Sequence, residues 1–289
     1  ADRFTVLRNG RVVAAGPATA FDEARLARCM TGRKPAQAAR PDRPVEPRPT
    51  LLQVRGLRGG PLAEVSFDLH AGEVLGVTGL RGAGQSELAW MLFGLLEPRS
   101  GEIRLDGRPC RFRTPAEALA AGVACLPEDR LAQGLFLPQS VAFNLLATGL
   151  RRLRNAAGLL PPRRLEAAAR HWLEALRIRA AGPDAPVQTL SGGNQQRVLL
   201  GRWLAVQPRL LIAHGPTAGV DIGSKESLHA KLRELAAQGL GVLVISDDLA
   251  ELAGLCDRVL VLHRGRLVRE WRHGELTEPA LAACLESLR

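Results

Sequence analysis

Residues 74–96 read VLGVTGLRGAGQSELAWMLFGLL, and the order of residue types in this stretch decides the fold. The β-branched run 74–78 predicts a buried strand, and the apolar spacing of 86–96 predicts a helix. Between them lie Gly79, Gly82 and Gly84. A strand, a glycine loop and a helix form a phosphate cradle, because backbone N–H groups converge on the anion and glycine lets the chain curl closely around it. The sequence therefore predicts a phosphate-binding loop here.

The loop departs from the usual phosphate-binding pattern at one position. Residues 79–86, GLRGAGQS, fit G-x-x-x-x-G-K-[ST] except that Gln85 stands where lysine is expected. An amide donates hydrogen bonds to phosphate oxygens, but it has no positive charge to offset the terminal phosphates. The candidate nucleotide-binding residues are Gly79, Gly82, Ala83, Gly84, Gln85 and Ser86. Ser86 is also the candidate Mg²⁺ ligand.

Composition favours a folded globular chain without a membrane-spanning segment. The 289 residues are 46% hydrophobic and 24% charged, and no run approaches 18 uninterrupted apolar residues. Five cysteines without a C-x-x-C pair indicate neither a zinc site nor a disulfide framework. The net charge of +10 comes mainly from arginines spread along the chain, and only 4% of residues are aromatic. Base-stacking platforms would be scarce, so we expect no nucleic-acid partner.

An internal repeat predicts the domain organisation. Residues 1–13, ADRFTVLRNGRVV, align without a gap on residues 256–268, CDRVLVLHRGRLV, with seven identities at an offset of 255. The repeated unit is a strand, a glycine turn, a second strand and a helix. We therefore expect residues 1–34 to be the C-terminal remnant of a first domain, 35–50 to be a proline-rich linker, and 51–289 to be a second domain.

A second motif identifies the family that the chain resembles. LSGGNQQ at residues 190–196, followed about 20 residues later by GPTAGVD at 215–221, resembles the ATP-binding subunits of ABC transporters. The N-Q-Q variant is similar to importers of monosaccharides, whose subunits carry two tandem nucleotide-binding domains. The resemblance implies an α/β, P-loop NTPase fold, an ABC-type nucleotide-binding domain with a helical subdomain at about 130–195.

The signature motif is intact. Its serine and glycines stand at a predicted helix N-terminus, so a hydroxyl and unpaired amides are available to an anion. The resemblance implies that two such domains pair head to tail and that each signature loop clamps the ATP held by its partner. Residues implied in binding are Ser191, Gly192, Gly193 and Gln195, together with Asp221 in the loop that follows.

The chain's own catalytic positions are degenerate. His214 and Gly215 stand where hydrolysing relatives have Asp-Glu, Asp247 stands at the switch histidine, and Glu128 or Asp129 stands at the glutamine of the glutamine loop. Glycine cannot act as a base, and base catalysis typically contributes about 10²–10⁴-fold. Neutral imidazole is not the hard oxygen ligand that Mg²⁺ prefers. With Gln85, these substitutions predict a pocket that does not split ATP.

The resemblance implies a function for the assembled protein. We expect the ATP-binding component of a monosaccharide importer, a transport-coupled ATPase that uses ATP and Mg²⁺ and whose isolated chain hydrolyses ATP poorly or not at all. Its expected partners are the missing first domain or a second ATPase chain, a transmembrane permease and, indirectly, a periplasmic sugar-binding protein. The expected location is the cytoplasmic face of the bacterial inner membrane. Alternatives are a nucleoside importer ATPase, a soluble ABC ATPase acting on nucleic acid, and a non-hydrolysing regulatory module.

Overall fold

The structure, a computed structural model, describes residues 1–8, 10–31, 48–272 and 274–288. Most of the expected linker at 35–50 therefore lies outside the described residues. Within the described part, no helix combines the length and the apolar character that a bilayer crossing requires. The chain forms one large sheet covered by helices and a separate small hairpin at its start.

Twelve strands are described. They are β1 (Arg3–Arg8), β2 (Arg11–Pro17), β3 (Thr50–Gly59), β4 (Leu62–His70), β5 (Val74–Gly79), β6 (Ser100–Leu105), β7 (Arg108–Cys110), β8 (Val123–Leu126), β9 (Leu210–His214), β10 (Gly241–Ile245), β11 (Arg258–His263) and β12 (Arg266–Arg272).

Ten α-helices are described. They are α1 (Glu23–Thr31), α2 (Gln85–Phe93), α3 (Pro115–Ala120), α4 (Val141–Leu146), α5 (Leu150–Leu153), α6 (Pro162–Ala175), α7 (Gly192–Leu204), α8 (Ile222–Ala237), α9 (Leu249–Leu255) and α10 (Glu278–Ser287). A single π-helical turn covers Arg130–Gly134.

The large sheet has the strand order β7-β6-β3-β4-β12-β11-β5-β10-β9-β8. Strands β11, β5, β10, β9 and β8 run parallel to one another, whereas β7, β6, β3 and β4 pair antiparallel. The carboxyl ends of parallel strands meet at one edge of a sheet, where α/β folds bind ligands. The phosphate loop follows β5 directly, so this edge contains the candidate site.

The parallel strands are buried on both faces, which accounts for their nearly continuous apolar sequences. Leu211 and Ala213 of β9 face the core beneath α7 and α8, whereas Leu210 and Ile212 face the core that includes α2 and β3. The same alternation continues in β10. The rigid two-sided sheet therefore fixes the backbone from which the site loops extend.

The chain segment that connects β8 to β9 is helical. Residues 127–209 contain α4 to α7 and no strand, and the subdomain bounds of about 130–195 stay a prediction. The buried Arg202 of α7 ties it together by donating to the carbonyl oxygens of Asn144 and Gly134. Burial lowers the pKa of Arg202 to about 10, so the guanidinium stays charged at neutral pH.

The two hairpins of the sequence repeat have the same register. Arg3 pairs with Pro17 in β1–β2, and Arg258 pairs with Arg272 in β11–β12, which is the same pairing at the offset of 255. Both hairpins contain a bulge at the same place, between Val6 and Leu7 and between Val261 and Leu262. Their surroundings differ, because Leu262 is fully buried beside β5 whereas Leu7 is 64% exposed.

Candidate functional site

The glycine loop has the backbone geometry of an anion cradle. Gly82 and Gly84 have φ of 81° and 113°, in the left-handed region that favours glycine. Gly84 starts α2 without a side-chain cap, which leaves the first N–H groups of the helix available. Beneath the loop, Thr78 Oγ1 is buried and has no hydrogen-bond partner among the described residues. The backbone therefore has the geometry that a phosphate cradle requires, and phosphate binding by this loop stays a prediction.

Gln85 points back into the loop. Its side chain is buried, and Nε2 donates to the carbonyl oxygen of Leu80 at 3.3 Å. An ideal Cβ on Gly79 would lie 3.0 Å from this Nε2 and would overlap the carbonyl oxygen of Leu262, so glycine is required there. Ser86, in the first turn of α2, is half-buried. In this geometry the amide closes the loop on itself and supplies no positive charge to the cradle.

Acidic and neutral groups occupy the positions beside the cradle. His214 ends β9, is buried, and its Nε2 lies 3.4 Å from Oε2 of the exposed Glu128. Burial lowers the pKa of His214, and the carboxylates of Glu128, Asp247 and Glu87 partly offset this effect. His214 is therefore neutral at pH 7 and supplies no positive charge beside the carboxylates of Glu128, Asp247 and Glu87.

Gly215 has the backbone conformation of a turn and has no side chain that could react. Its φ is 57°, and its N–H donates to the carbonyl oxygen of Ile245 at 2.7 Å. An added Cβ would meet only ordinary contacts, such as Glu128 Cγ at 3.7 Å, but the left-handed backbone would be strained with any other residue. Within the described residues, no cluster of three or more His, Cys, Asp or Glu side chains could hold a metal ion. Position 215 thus supplies neither a base nor a carboxylate ligand for Mg²⁺, and Ser86 stays the candidate Mg²⁺ ligand.

The start of α7 presents the signature serine to solvent. Ser191 is exposed and does not cap its own helix, and its Oγ accepts a hydrogen bond from Nδ2 of Asn194 at 3.0 Å. The hydroxyl hydrogen is thus free to donate outward. Oδ1 of Asn194 accepts from the N–H of Arg179 at 2.9 Å, which holds the asparagine in place. Ser191 is therefore a preorganised surface donor.

Gly192 and Gly193 are required by packing within the chain. A Cβ on Gly193 would lie 2.6 Å from Cβ of Ser224, and one on Gly192 would lie 2.9 Å from the carbonyl oxygen of Gly219. Asp221 accepts from the N–H of Ser224 at 3.0 Å and so caps α8. Burial raises the pKa of Asp221, but its hydrogen bonds with Ser224 outweigh this and leave the pKa lowered. The 215–221 loop and the signature therefore form one packed unit.

Gln195 has an internal position that the sequence did not predict. Its side chain is buried, and Nε2 donates to the carbonyl oxygen of Val187 at 3.4 Å. The structure does not bring it to the surface beside Ser191. Ser191 is the N-cap and has an extended backbone, whereas Gln195 lies in the first turn of α7, where the side chain points back toward the preceding segment.

Arg130 was missed by the sequence reasoning. Its guanidinium donates to the carbonyl oxygens of Ala218 and Gly219, and the same group lies 2.9 Å from an ideal Cβ on Gly192. It thus joins the segment after β8 to both parts of the signature unit. The only sequence signal was its position directly after Glu128 and Asp129, and its partners lie almost 90 residues away.

A buried carboxylate joins the loops that follow β9 and β10. Glu251 of α9 accepts from Thr217 Oγ1 at 2.7 Å and from Ser246 Oγ at 2.6 Å, and His229 Nε2 lies 2.9 Å from it. Burial raises the pKa of Glu251, but the hydrogen bonds from His229, Ser246 and Thr217 outweigh this and leave the pKa lowered. This network sets the spacing of the two loops, and nothing in the sequence indicated it.

Comparison with known proteins decides the family. Residues 62–218, more than half of the chain, match the ABC transporter family. The chain belongs to the ABC transporter family. This match includes the phosphate loop, the segment after β8 and the signature helix, which confirms the predicted P-loop NTPase fold of the ABC type.

Curated relatives are named as ATP-binding proteins of ribose or galactose import. The chain is 43% identical over 282 residues to the ribose import ATP-binding protein RbsA 2 of Rhizobium meliloti (strain 1021), covering 97% of this chain and 55% of that protein. It is 38% identical over 270 residues to the galactose/methyl galactoside import ATP-binding protein MglA of Sodalis glossinidius, covering 92% and 53%. The chain spans about half the length of the curated relatives that it matches.

Solved ABC structures share the fold. An ATP-binding cassette of an ABC transporter, MJ1267, superposes with a TM-score of 0.71 at 23% identity, covering 83% of this chain and 98% of that one. An ATP-binding subunit of an ABC transporter superposes with a TM-score of 0.64 at 27% identity, covering 78% and 90%. The first of these likenesses supports the fold alone.

Proposed function

We propose that the chain is the second nucleotide-binding domain of an ATPase that drives a monosaccharide importer. In this proposal it donates the signature around Ser191 to a competent ATP site, whose phosphate loop belongs to a preceding homologous domain. Its own phosphate loop forms the degenerate site. The observation that carries the proposal is the contrast between an intact, solvent-facing signature and a pocket in which Gln85 replaces the loop lysine and Gly215 replaces the catalytic base.

Three features support the donor role. Ser191 is exposed with a free hydroxyl hydrogen, and the first N–H groups of α7 have no intrahelical partner. Both glycines pack against the chain's own loop, which holds the helix start rigid. A rigid donor surface binds a negatively charged group without losing much conformational entropy. Bound ATP would supply that charge through its γ-phosphate.

The degenerate site supports binding without cleavage. The backbone cradle suits a phosphate, but Gln85 is hydrogen-bonded to Leu80 and the charge around His214 is negative. We expect weak nucleotide retention in this pocket and no turnover. Because Gly215 has a positive φ, restoring a glutamate at that single position would add strain without restoring the other missing groups.

The repeat supports a tandem arrangement. Hairpins β1–β2 and β11–β12 share their register and bulge, and the buried Leu262 corresponds to the exposed Leu7. An apolar residue that is buried in one copy and exposed in the other indicates a missing neighbour. The 1–34 unit is then the end of the first nucleotide-binding domain, 35–50 is the linker, and 51–289 is the second domain.

The sugar and the partners follow from the relatives. Proteins named for ribose and galactose import match nearly the whole chain, so we propose a monosaccharide as cargo and a permease as the membrane partner. The permease would place the chain at the cytoplasmic face of the inner membrane. Mg²⁺ would accompany ATP at the competent site.

The decisive experiment uses the polypeptide that carries both domains, reconstituted with its permease in proteoliposomes. ATP hydrolysis and uptake of labelled ribose and galactose are measured for the wild type and for Ser191→Arg. We expect Ser191→Arg to abolish both, because a bulky cation blocks the donor surface. Ser287→Arg, at an exposed serine of α10, is the matched control and should leave both rates unchanged.

Two results would contradict the proposal. Full turnover by Ser191→Arg would show that the signature does not face a nucleotide. Robust Mg²⁺-dependent turnover by the 289-residue chain alone would show that its own pocket is competent. Uptake of a labelled nucleoside in place of a sugar would retain the donor role and replace the proposed cargo.

A further inference from the structure

The helical subdomain contains a basic stretch without acidic residues. Residues 131–165 include no Asp and no Glu, and the segment 151–164 reads RRLRNAAGLLPPRR. Its five arginines, Arg151, Arg152, Arg154, Arg163 and Arg164, are all exposed. We call these five residues and the turn between them the arginine loop.

The arginines of this loop lack carboxylate partners. Within the described part of the chain, none of the five forms an ion pair. Arg152 donates to Oε1 of Gln207, and Arg164 donates to the carbonyl oxygen of Arg154 at 3.2 Å. Some exposed arginines elsewhere pair with carboxylates, as Arg111 does with Glu97 at 2.8 Å. The loop thus has uncompensated positive charge.

Stability of the fold does not explain this clustering. Arg163 and Arg164 lie in the first turn of α6, where the helix dipole disfavours cations. Arg164 also brings the two arms of the loop together through its bond to Arg154. Like charges are therefore held close to one another at a local energetic cost, which indicates an anionic partner.

The tip of the loop presents an apolar side chain. Leu159 is 66% exposed, the most exposed large hydrophobic side chain of the described residues. The turn that holds it is closed by two hydrogen bonds, from the N–H of Asn155 to the carbonyl oxygen of Leu159 at 2.8 Å and from the N–H of Leu159 to Oδ1 of Asn155 at 2.9 Å. A fixed turn keeps the leucine outward, surrounded by arginines.

We propose that the arginine loop binds the anionic surface of a phospholipid bilayer, with the arginines on lipid phosphates and Leu159 inserted between headgroups. An exposed leucine close in sequence to several arginines suits a membrane interface, which has charged headgroups over an apolar interior. A nucleic acid would instead favour aromatic side chains for stacking, and the loop has none. Binding of this loop to a membrane would not require the chain to take part in ATP hydrolysis.

The expected affinity change is large enough to measure. Each arginine near an anionic membrane strengthens binding by about fivefold, so replacing three should weaken it by about 100-fold. Removing the Leu159 side chain should weaken membrane binding by about tenfold if roughly half of that side chain is buried in the membrane. The arginine contribution should fall with salt, because ions screen charges at a surface.

The test is flotation of the purified 289-residue chain with vesicles of phosphatidylcholine, with or without about 30% phosphatidylglycerol. We expect partitioning onto the anionic vesicles only, and a loss of about 100-fold for Arg151→Gln/Arg152→Gln/Arg154→Gln. Leu159→Ser should lose about tenfold, with the salt dependence unchanged. Among the substituted residues, Arg152 has a side-chain hydrogen bond, to Gln207, and the other three are exposed. Circular dichroism of each variant checks that it is folded.

The matched control is Arg108→Gln/Arg111→Gln/Arg113→Gln, which removes the same charge from exposed positions around β7. It should retain wild-type partitioning. An equal loss in this control would show attraction by net charge and overturn the proposal, as would no binding of the wild type to anionic vesicles. The proposal would also be overturned, in favour of a nucleic-acid surface, if the chain bound a single-stranded RNA more tightly than the anionic vesicles and Leu159→Ser did not change that affinity.

Discussion

Replacing Glu251 by glutamine tests whether a buried carboxylate holds the loops after β9 and β10 together. Glutamine has the same size but turns one acceptor oxygen into a donor and removes the negative charge. Thr217, Ser246 and His229 all lie within 2.9 Å of the carboxylate oxygens. At least one of these interactions must be lost or reversed, and the others lose their charge assistance.

The magnitude follows from these contacts. Hydrogen bonds to a charged acceptor contribute about 1.5–3 kcal/mol each, and an unsatisfied buried donor costs about 1–3 kcal/mol. Losing one bond and weakening two others predicts that the free energy of unfolding falls by about 3 kcal/mol at pH 7. The side chain is only 1% exposed, so water cannot replace the lost partners.

The effect depends on pH in a definite direction. The folded-state pKa of Glu251 is lowered from 4.5, so the carboxylate stabilises the fold above that value, and this stabilisation is lost as the pH falls through the folded-state pKa. The difference between the wild type and Glu251→Gln should be constant near neutral pH and should shrink in acid below the folded-state pKa.

Urea denaturation followed by circular dichroism measures both effects. The control is Glu234→Gln on α8, whose exposed carboxylate pairs with Lys231 at 2.8 Å and should contribute less than about 0.5 kcal/mol. A loss for Glu251→Gln as small as that of the control would refute the reasoning. So would a difference that persists unchanged in strong acid.

Three further substitutions test the site. Gly193→Ala should lower the free energy of unfolding by about 1–3 kcal/mol in the same urea assay, because its Cβ would clash with Ser224. The control Gly254→Ala, where nothing lies within 4 Å of an added Cβ, should be neutral or slightly stabilising. Equal effects of the two substitutions would contradict the packing argument. Arg130→Lys should raise the rate of amide hydrogen exchange several-fold in peptides covering 191–195 and 217–220, because lysine cannot donate a planar pair of hydrogen bonds to Ala218 and Gly219. Unchanged exchange rates would show that Arg130 does not position these segments. Gln85→Lys should tighten ATP binding to the chain by about tenfold or more in calorimetry without producing hydrolysis, and an unchanged affinity would show that the cradle does not hold the phosphates.

Local patterns predicted much of the fold. The strand, loop and helix at 74–96 appear as β5, the glycine turn and α2, and the helix predicted to begin at the signature motif appears as α7. The hairpin repeat was visible because a strand pair and its turn are encoded within about 15 residues. These features depend on neighbours in the chain, so composition and spacing are sufficient to identify them.

The side-chain contacts of the site were less predictable. Gln85 was recognised as a substitution, but its bond to Leu80 depends on the loop conformation. Gln195 belongs to the signature motif, yet its direction toward Val187 follows from how α7 packs. Arg130 reaches the 215–221 loop because β8 lies beside β9, a neighbourhood that residue spacing does not reveal.

By itself, the sequence determined that the chain has a phosphate loop without a lysine, a signature motif, a repeated hairpin and no base at position 215. Each of these is a property of residue identity or short-range order. Only the tertiary structure decided that Ser191 faces outward, that Glu251 joins two loops, and that Leu159 stands unshielded among arginines. Exposure and long-range hydrogen bonds arise from the order of strands in the sheet, which brings together residues that are distant in the chain.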